Sequence, residues 1–370
     1  MDFSYGSILF VVVFGVIKIL ALLLGFGMGL ASILTWMERR QSSMMQDRLG
    51  PNRANIGPFK MWGITHFMAD ALKFMFKEDF VPPMAHKFLF MWAPVMAMAP
   101  ALIVAAIIPF GAPLCWGSAT EPMTATCQTP LLFQIARLDV GILFYFALSS
   151  LAVYGAMLAG WSSHNKWAMM GGMRASSQMM SYEVTMGMAL LGSFLVYGTL
   201  EPGAMVFKQQ DSLWHWGIFT QPLGFLLFLT AAIAETKRTP FDIPEGEPEI
   251  IGYFVEYSGL RFGLFFLGEF LEIVFSSALL ITVFFGGWSL PGLQDFAIAH
   301  QWPNFVYVIA TVGIWSAKVF LFSGFQLLIR WSLPRFRSDQ LMQLGWQRLL
   351  PISILNVVAT AVVVLFLNNK

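Results

Sequence analysis

Along the chain, long unbroken apolar runs alternate with short polar segments. Runs long enough to cross a bilayer lie at 7–34, 88–110, 138–160, 179–199, 217–235, 263–286, 305–329 and 349–367. Backbone groups in hydrocarbon must bond within their own segment, and none of these runs alternates polar with apolar, so they predict eight helices rather than barrel strands. The fold class expected is therefore an all-α polytopic membrane protein, a single membrane domain over 1–370. The stretch 59–77 has a different pattern. There Ile64, Phe67, Met68, Ala71, Leu72 and Met75 form one face and His66, Asp70, Lys73 and Lys77 the other, which predicts a helix lying in the interface.

Composition adds the orientation. The chain is 57% hydrophobic and 12% charged, outside the range of a water-soluble domain. Of its 22 Lys and Arg, 17 fall in the segments 35–87, 161–178, 236–262 and 330–348, which the positive-inside rule places in the cytoplasm, with both termini outside. The first run is too long for a signal-peptide core and has no basic region before it, so it is expected to stay in the mature protein. Nothing in the chain points to nucleic acid as a partner.

The inner segment from Glu235 to Arg261 carries six carboxylates, Glu235, Asp242, Glu245, Glu247, Glu249 and Glu256. Its prolines disfavour a continuous helix, and its interleaved aromatic and aliphatic residues need a surface to pack on, so it reads as a structured loop. Carboxylates gathered in such surroundings repel, which raises proton affinities and suits them to taking up and releasing protons. Further carboxylates fall at or inside spans: Glu183, Glu269 and Glu272, the last two sharing a face at i, i+3. Lys318 lies midway along the seventh run and is expected to pair with an acid of the sixth or to face a neighbouring subunit. At the inner end of the first run, Glu38 is followed by Arg39, Arg40, Arg48 and Arg53. Beside the interfacial helix these residues could wall a portal for an amphiphile entering from the bilayer, with lipid headgroup contact as the alternative.

Cys115 and Cys127 share one outward segment, where a disulfide and two unlinked thiols are both open readings. No Cys and His pattern has metal-ligand spacing, so no iron–sulfur cluster is expected on this chain, and no phosphate-cradling glycine motif is present.

The stretches ERR…QDRLGPNR at 38–53, ADALKFMFKED at 69–79, AGWSSHNKWAMMGGMRASSQMMSYEV at 159–184, ETKRTPFDIPEGEPEI at 235–250, EYSGLRFGLFFLGEF at 256–270 and LPRFRSDQLMQLGW at 333–346 resemble one family closely. It is the membrane subunit of respiratory complex I that closes the quinone cavity, the H subunit of bacterial NADH:quinone oxidoreductase and chain 1 of mitochondria. The resemblance implies a non-catalytic subunit of a proton-translocating enzyme, with quinone as substrate and with FMN and iron–sulfur clusters held by partner subunits. Those partners would be soluble quinone-site subunits, small membrane subunits and antiporter-like subunits. It further implies a portal and chamber lined by Glu38, Arg39, Arg48, Asp70 and Lys73, and cavity-facing Asp242, Glu245, Glu247, Glu249 and Glu256. Glu183, Glu235 and Glu269 would continue the acidic route into the membrane. Glu272 departs from the family pattern, and an ion pair with Lys318 is the expectation for it. Related membrane-bound hydrogenase complexes and a stand-alone ion-coupled transporter are the alternatives; a bacterial inner membrane is the expected location and the mitochondrial inner membrane the alternative.

Overall fold

The computed structural model describes residues 13–55, 62–114, 131–246 and 249–368. Cys115, Cys127, Glu247 and residues 59–61 of the interfacial stretch lie outside the described residues. Within them the fold is all-helical. Seven helices are long and apolar enough to cross a membrane: α1 (Val13–Met45), α3 (Lys87–Ile107), α4 (Gly141–Ser162), α5 (Lys166–Tyr197), α8 (Gly259–Phe284), α10 (Asn304–Ser332) and α11 (Ser338–Leu367). Between them lie the surface helix α2 (His66–Phe76), α6 (Pro202–Gln209), the apolar but short α7 (Pro222–Glu235) and α9 (Leu293–Ala299).

Helix α8 is the axis of the bundle. Its apolar window is 78% buried, more than that of any other spanning helix, as expected of a helix hydrophobic all round. Small residues let its neighbours close up. Gly155 of α4 lies so near α3 that a Cβ there would come within 2.5 Å of the Ala97 nitrogen, and one on Gly160 would come equally near the Ala168 carbonyl of α5.

Several helices extend past their apolar runs. Helix α5 starts at Lys166, not 179, because Asn165 caps it by accepting a bond from the Trp167 N–H at 3.0 Å and the amphipathic turns that follow pack on protein. It ends at Gly198, where φ is +60° and the glycine N–H closes on the Phe194 carbonyl. Likewise α1 continues through Glu38 to Met45, and α11 begins at Ser338, so the last inward loop shrinks to a few residues.

Helix α7 is the opposite case. Its 14 residues cover about 21 Å at 1.5 Å each, short of the ~30 Å hydrocarbon core. The chain breaks before it at Gln221–Pro222, where the proline stands in the first turn with no N–H to satisfy, and the Gln221 side chain is anchored on α11, donating to Thr360 at 2.9 Å and accepting from Asn356 at 3.1 Å.

The lysines inside spans are satisfied by carbonyls. Lys318 does not pair with Glu272. It donates to the carbonyls of Phe285, Gly287 and Ser289 at 2.8–2.9 Å, just past the end of α8, with the Trp216 ring 4.8 Å away. The turn after α8 offers carbonyls that have no helical partners, and an ammonium answers them as well as a carboxylate would answer the ammonium. Lys18 similarly reaches the Gln134 carbonyl at 2.9 Å.

Substituting Gly155 by Val should force α3 and α4 apart, at a cost of roughly 1–3 kcal/mol from overpacking. The expected result is a lower melting temperature of the detergent-solubilised protein, while Gly29→Val, where no heavy atom lies within 4 Å of the added Cβ, should melt like the parent.

Candidate functional site

The loop between α7 and α8 folds back over one end of the bundle and is itself buried: Thr236, Lys237, Arg238, Phe241, Asp242, Ile243, Ile250 and Tyr253 all lose nearly all their exposure. Three contacts hold it. Gln178 of α5 donates to the Ala234 and Phe241 carbonyls, each at 2.7 Å. Phe241 stacks on Phe336, whose N–H bonds the Pro240 carbonyl. Tyr257 stacks on Phe90 at 4.0 Å.

At the centre is Arg238. Its guanidinium lies 3.0 Å from Glu269 of α8 and 3.7 Å from Glu38 of α1, and it rests on the Phe270 ring at 4.6 Å. Glu38 is also paired with Arg330 of α10. Tyr253 donates to the other oxygen of Glu269 at 3.4 Å. Arg335 holds Asp242 at 2.7 Å, and Lys237 lies 4.0 Å from Glu272.

These groups border two cavities. The inner one, of about 500 Å³, is lined by the polar side chains of Arg238, Thr239, Asp242, Glu245, Glu269, Arg330 and Arg335 together with Ile251, Phe254, Phe262, Phe265, Phe266 and Trp331. The second, of about 460 Å³, is bounded by Glu38, Arg39, Ser42, Ser43, Arg48, Leu49, Gly50, Pro51, His66 and again Trp331. Arg39 is fixed there by Asp70 of α2 at 2.5 Å, with Lys73 on the same carboxylate at 3.5 Å. Arg48 bonds Gln46 and Ser42.

Proton affinities in the loop follow from this packing. Burial, together with the Glu269 charge, pushes the Glu245 carboxyl well above the usual carboxylate range. Burial also raises Asp242, against the opposing pull of Arg335. Burial works against the charge on Lys237, but Glu272, Glu269 and Glu245 outweigh it and raise its proton affinity.

Not every acid of the loop faces the inner cavity. Glu249 is exposed and paired with Arg174 of α5 at 2.8 Å, and Glu256 accepts from Asn165 at 2.7 Å. The chain turns away at Ile251 and Gly252, both with positive φ, and presses on Gly171 of α5, where a Cβ would come within 2.8 Å of the Tyr253 nitrogen. Asp242, Glu245 and Glu269 are the acids brought together on the cavity. Deeper in the membrane, Glu235 and Glu272 share a cavity of about 30 Å³ with Tyr145, Ser149, Thr236 and Ser276, room for about one water. Glu183 lies apart, in an open apolar groove between α4 and α5, yet within Coulombic reach of Glu235.

Sequence reasoning missed the cations of this site. Arg238, Arg330, Arg335 and Lys237 were legible only as part of the basic bias of the segments 236–262 and 330–348. The available signal was the order ETKRTPFD, in which an adjacent Lys and Arg sit inside the acid-rich run. Among the described residues no group of three or more His, Cys, Asp or Glu is placed to hold a metal ion.

Glu245 gives a pH test. Its folded proton affinity lies above the unfolded one, so the folded state loses stability as pH rises from the ordinary carboxylate range through the raised value. Glu245→Gln should flatten that decline, measured as melting temperature against pH. Arg238→Ala leaves Glu269 and Glu38 without their shared buried partner and should cost on the order of 3–5 kcal/mol, seen as a large fall in melting temperature or loss of the folded protein.

Comparison with known proteins extends over almost the whole chain. Residues 17–361 match the family model described as NADH dehydrogenase. One of the H subunits of NADH-quinone oxidoreductase from Geobacter metallireducens is 43% identical over 332 residues, 90% of this chain and 91% of that protein. The H subunit of NADH-quinone oxidoreductase from Flavobacterium johnsoniae is 37% identical over 360 residues, 97% of this chain and 95% of that protein. NADH-quinone oxidoreductase subunit 8 of Rhodothermus marinus is 40% identical over 336 residues, 90% of this chain and 92% of that protein. With identity at this level from the first span to the last, the chain belongs to the NADH dehydrogenase family, the family of the H subunits of NADH-quinone oxidoreductase.

Proposed function

We propose that this chain forms the quinone entry portal and chamber of a proton-translocating NADH:quinone oxidoreductase in a bacterial inner (plasma) membrane, and that its internal carboxylates link quinone reduction to proton movement. One observation carries the reading: a cavity of about 500 Å³ brings the aromatic rings of Phe254, Phe262, Phe265 and Phe266 together with Asp242, Glu245 and Glu269, and an arginine-lined cavity that shares Trp331 adjoins it. A lining that mixes aromatic rings with ionisable groups offers a flat ligand both apolar contact and hydrogen-bond partners for its oxygens.

The chain itself supplies no electrons. Two electrons reach the quinone from iron–sulfur clusters, and ultimately FMN, in soluble partner subunits that dock on the inner face, and lipid covers the exposed helices. Reduction to the quinol consumes two protons and brings negative charge toward a site of low dielectric constant. Such a charge would raise further the proton affinities of Asp242 and Glu245, which burial already lifts, and would so draw protons toward the cavity. Glu269 and Glu272 share one face of α8, and Glu272 and Glu235 border a common small cavity, so a chain of acids leads from the chamber toward Glu183 and the small and antiporter-like membrane subunits.

In the assembled enzyme, Glu235→Gln removes a titratable group at nearly constant volume. Quinone reductase activity and proton pumping should fall together, by roughly the 10²-fold or more typical of a lost proton-transfer group, with the variant chain still assembled. Wild-type turnover and pumping would take Glu235 out of the route. Arg39→Ala should slow reduction of a short-chain quinone and spare NADH oxidation by an artificial acceptor; equal losses in both assays would indicate failed assembly and not a portal role.

A further inference from the structure

The two cavities meet at one side chain. Trp331 is the residue that lines both. It stands on the last turn of α10, which ends at Ser332, so its position is set by a helix and not by the loop that follows. The Arg330 guanidinium lies 5.3 Å from its ring centroid, and the same Arg330 is tied to Glu38, which braces the indole from one side. Unlike Trp288 and Trp315, which are 2% and 1% exposed and serve as packing, Trp331 keeps 36% of its surface open.

A rigid, flat ring that belongs to the linings of two cavities, with a cation held over it, is placed to narrow the way from one to the other. Each cavity is large enough for a ring-shaped head group, so selection between head groups falls to the neck between them. Resting on the quinone reading above, we propose that Trp331 is a specificity-determining residue: its indole sets the width of the passage and thereby the size of the flat head group that reaches Asp242, Glu245 and Glu269.

The test uses the assembled enzyme in membranes with two substrates bearing the same short side chain, a monocyclic benzoquinone and a bicyclic naphthoquinone. Trp331→Ala should raise the ratio of kcat/KM for the bicyclic over the monocyclic substrate by about tenfold, the scale on which a pocket wall discriminates by size. The change should lie in KM, with kcat and electron transfer to an artificial acceptor nearly unchanged. Trp331→Phe, a flat ring of smaller size, should shift the ratio less and in the same direction, and it can be read alone if the alanine variant does not assemble. An unchanged or lowered ratio overturns the inference. Arg335→Ala, in the lining of the inner cavity, is measured alongside. If it slows both quinones while Trp331→Ala leaves the ratio alone, only the role of Trp331 falls; if neither substitution affects quinone reduction, the quinone reading itself falls.

Discussion

A single buried guanidinium organises this fold. Arg238 arrives on the loop between α7 and α8 and must find compensation for its charge inside protein, where an unpaired cation is too costly to keep. It finds Glu269 on α8 and Glu38 on α1, and Glu38 in turn takes Arg330 from α10. Three spanning helices are thereby referenced to one loop residue. The aromatic bed of Phe266 and Phe270 under the guanidinium lets the cation be desolvated without losing all favourable contact. The same requirement explains why the loop is buried although it carries so many charges: each side's burial is tolerable only because the other is present.

Hydropathy made the spans legible, since no other arrangement of such runs satisfies the backbone in lipid. It could not give the ends. A helix stops where its backbone finds a cap or another partner, so α5 begins at the Asn165 cap, well before its apolar run, and α7 starts only at Pro222, which carries no N–H to satisfy. The acidic loop stood out in the sequence as a site. Which of its acids face a common space did not, because that depends on where the folded loop meets α5: Glu249 pairs there with Arg174 and, beyond the turn at Ile251 and Gly252, Glu256 meets Asn165.

The charges within spans show the same limit. A lysine in an apolar run demands a partner, but the sequence does not say whether that partner is a carboxylate or a carbonyl. Lys318 lies beside the end of a buried helix, where three carbonyls lack helical partners, and so Glu272 is left to Lys237. The arginines of the site were hidden for a related reason. Basic residues at an inner membrane face are so common for topological reasons that Arg238, Arg330 and Arg335 carry no distinguishing mark until three dimensions bring them to the acids.

Gln178 has a mechanical meaning. The two hydrogens of its one amide nitrogen are given to the carbonyls of Ala234 and Phe241, and the next residue after each is a carboxylate, Glu235 and Asp242. The acid that ends α7 and the acid that borders the inner cavity are thus both hung one residue from a common nail in α5. While those bonds hold, the spacing between the two acids is gauged by a single planar group of fixed size, and a tug on the loop is felt at the foot of α7.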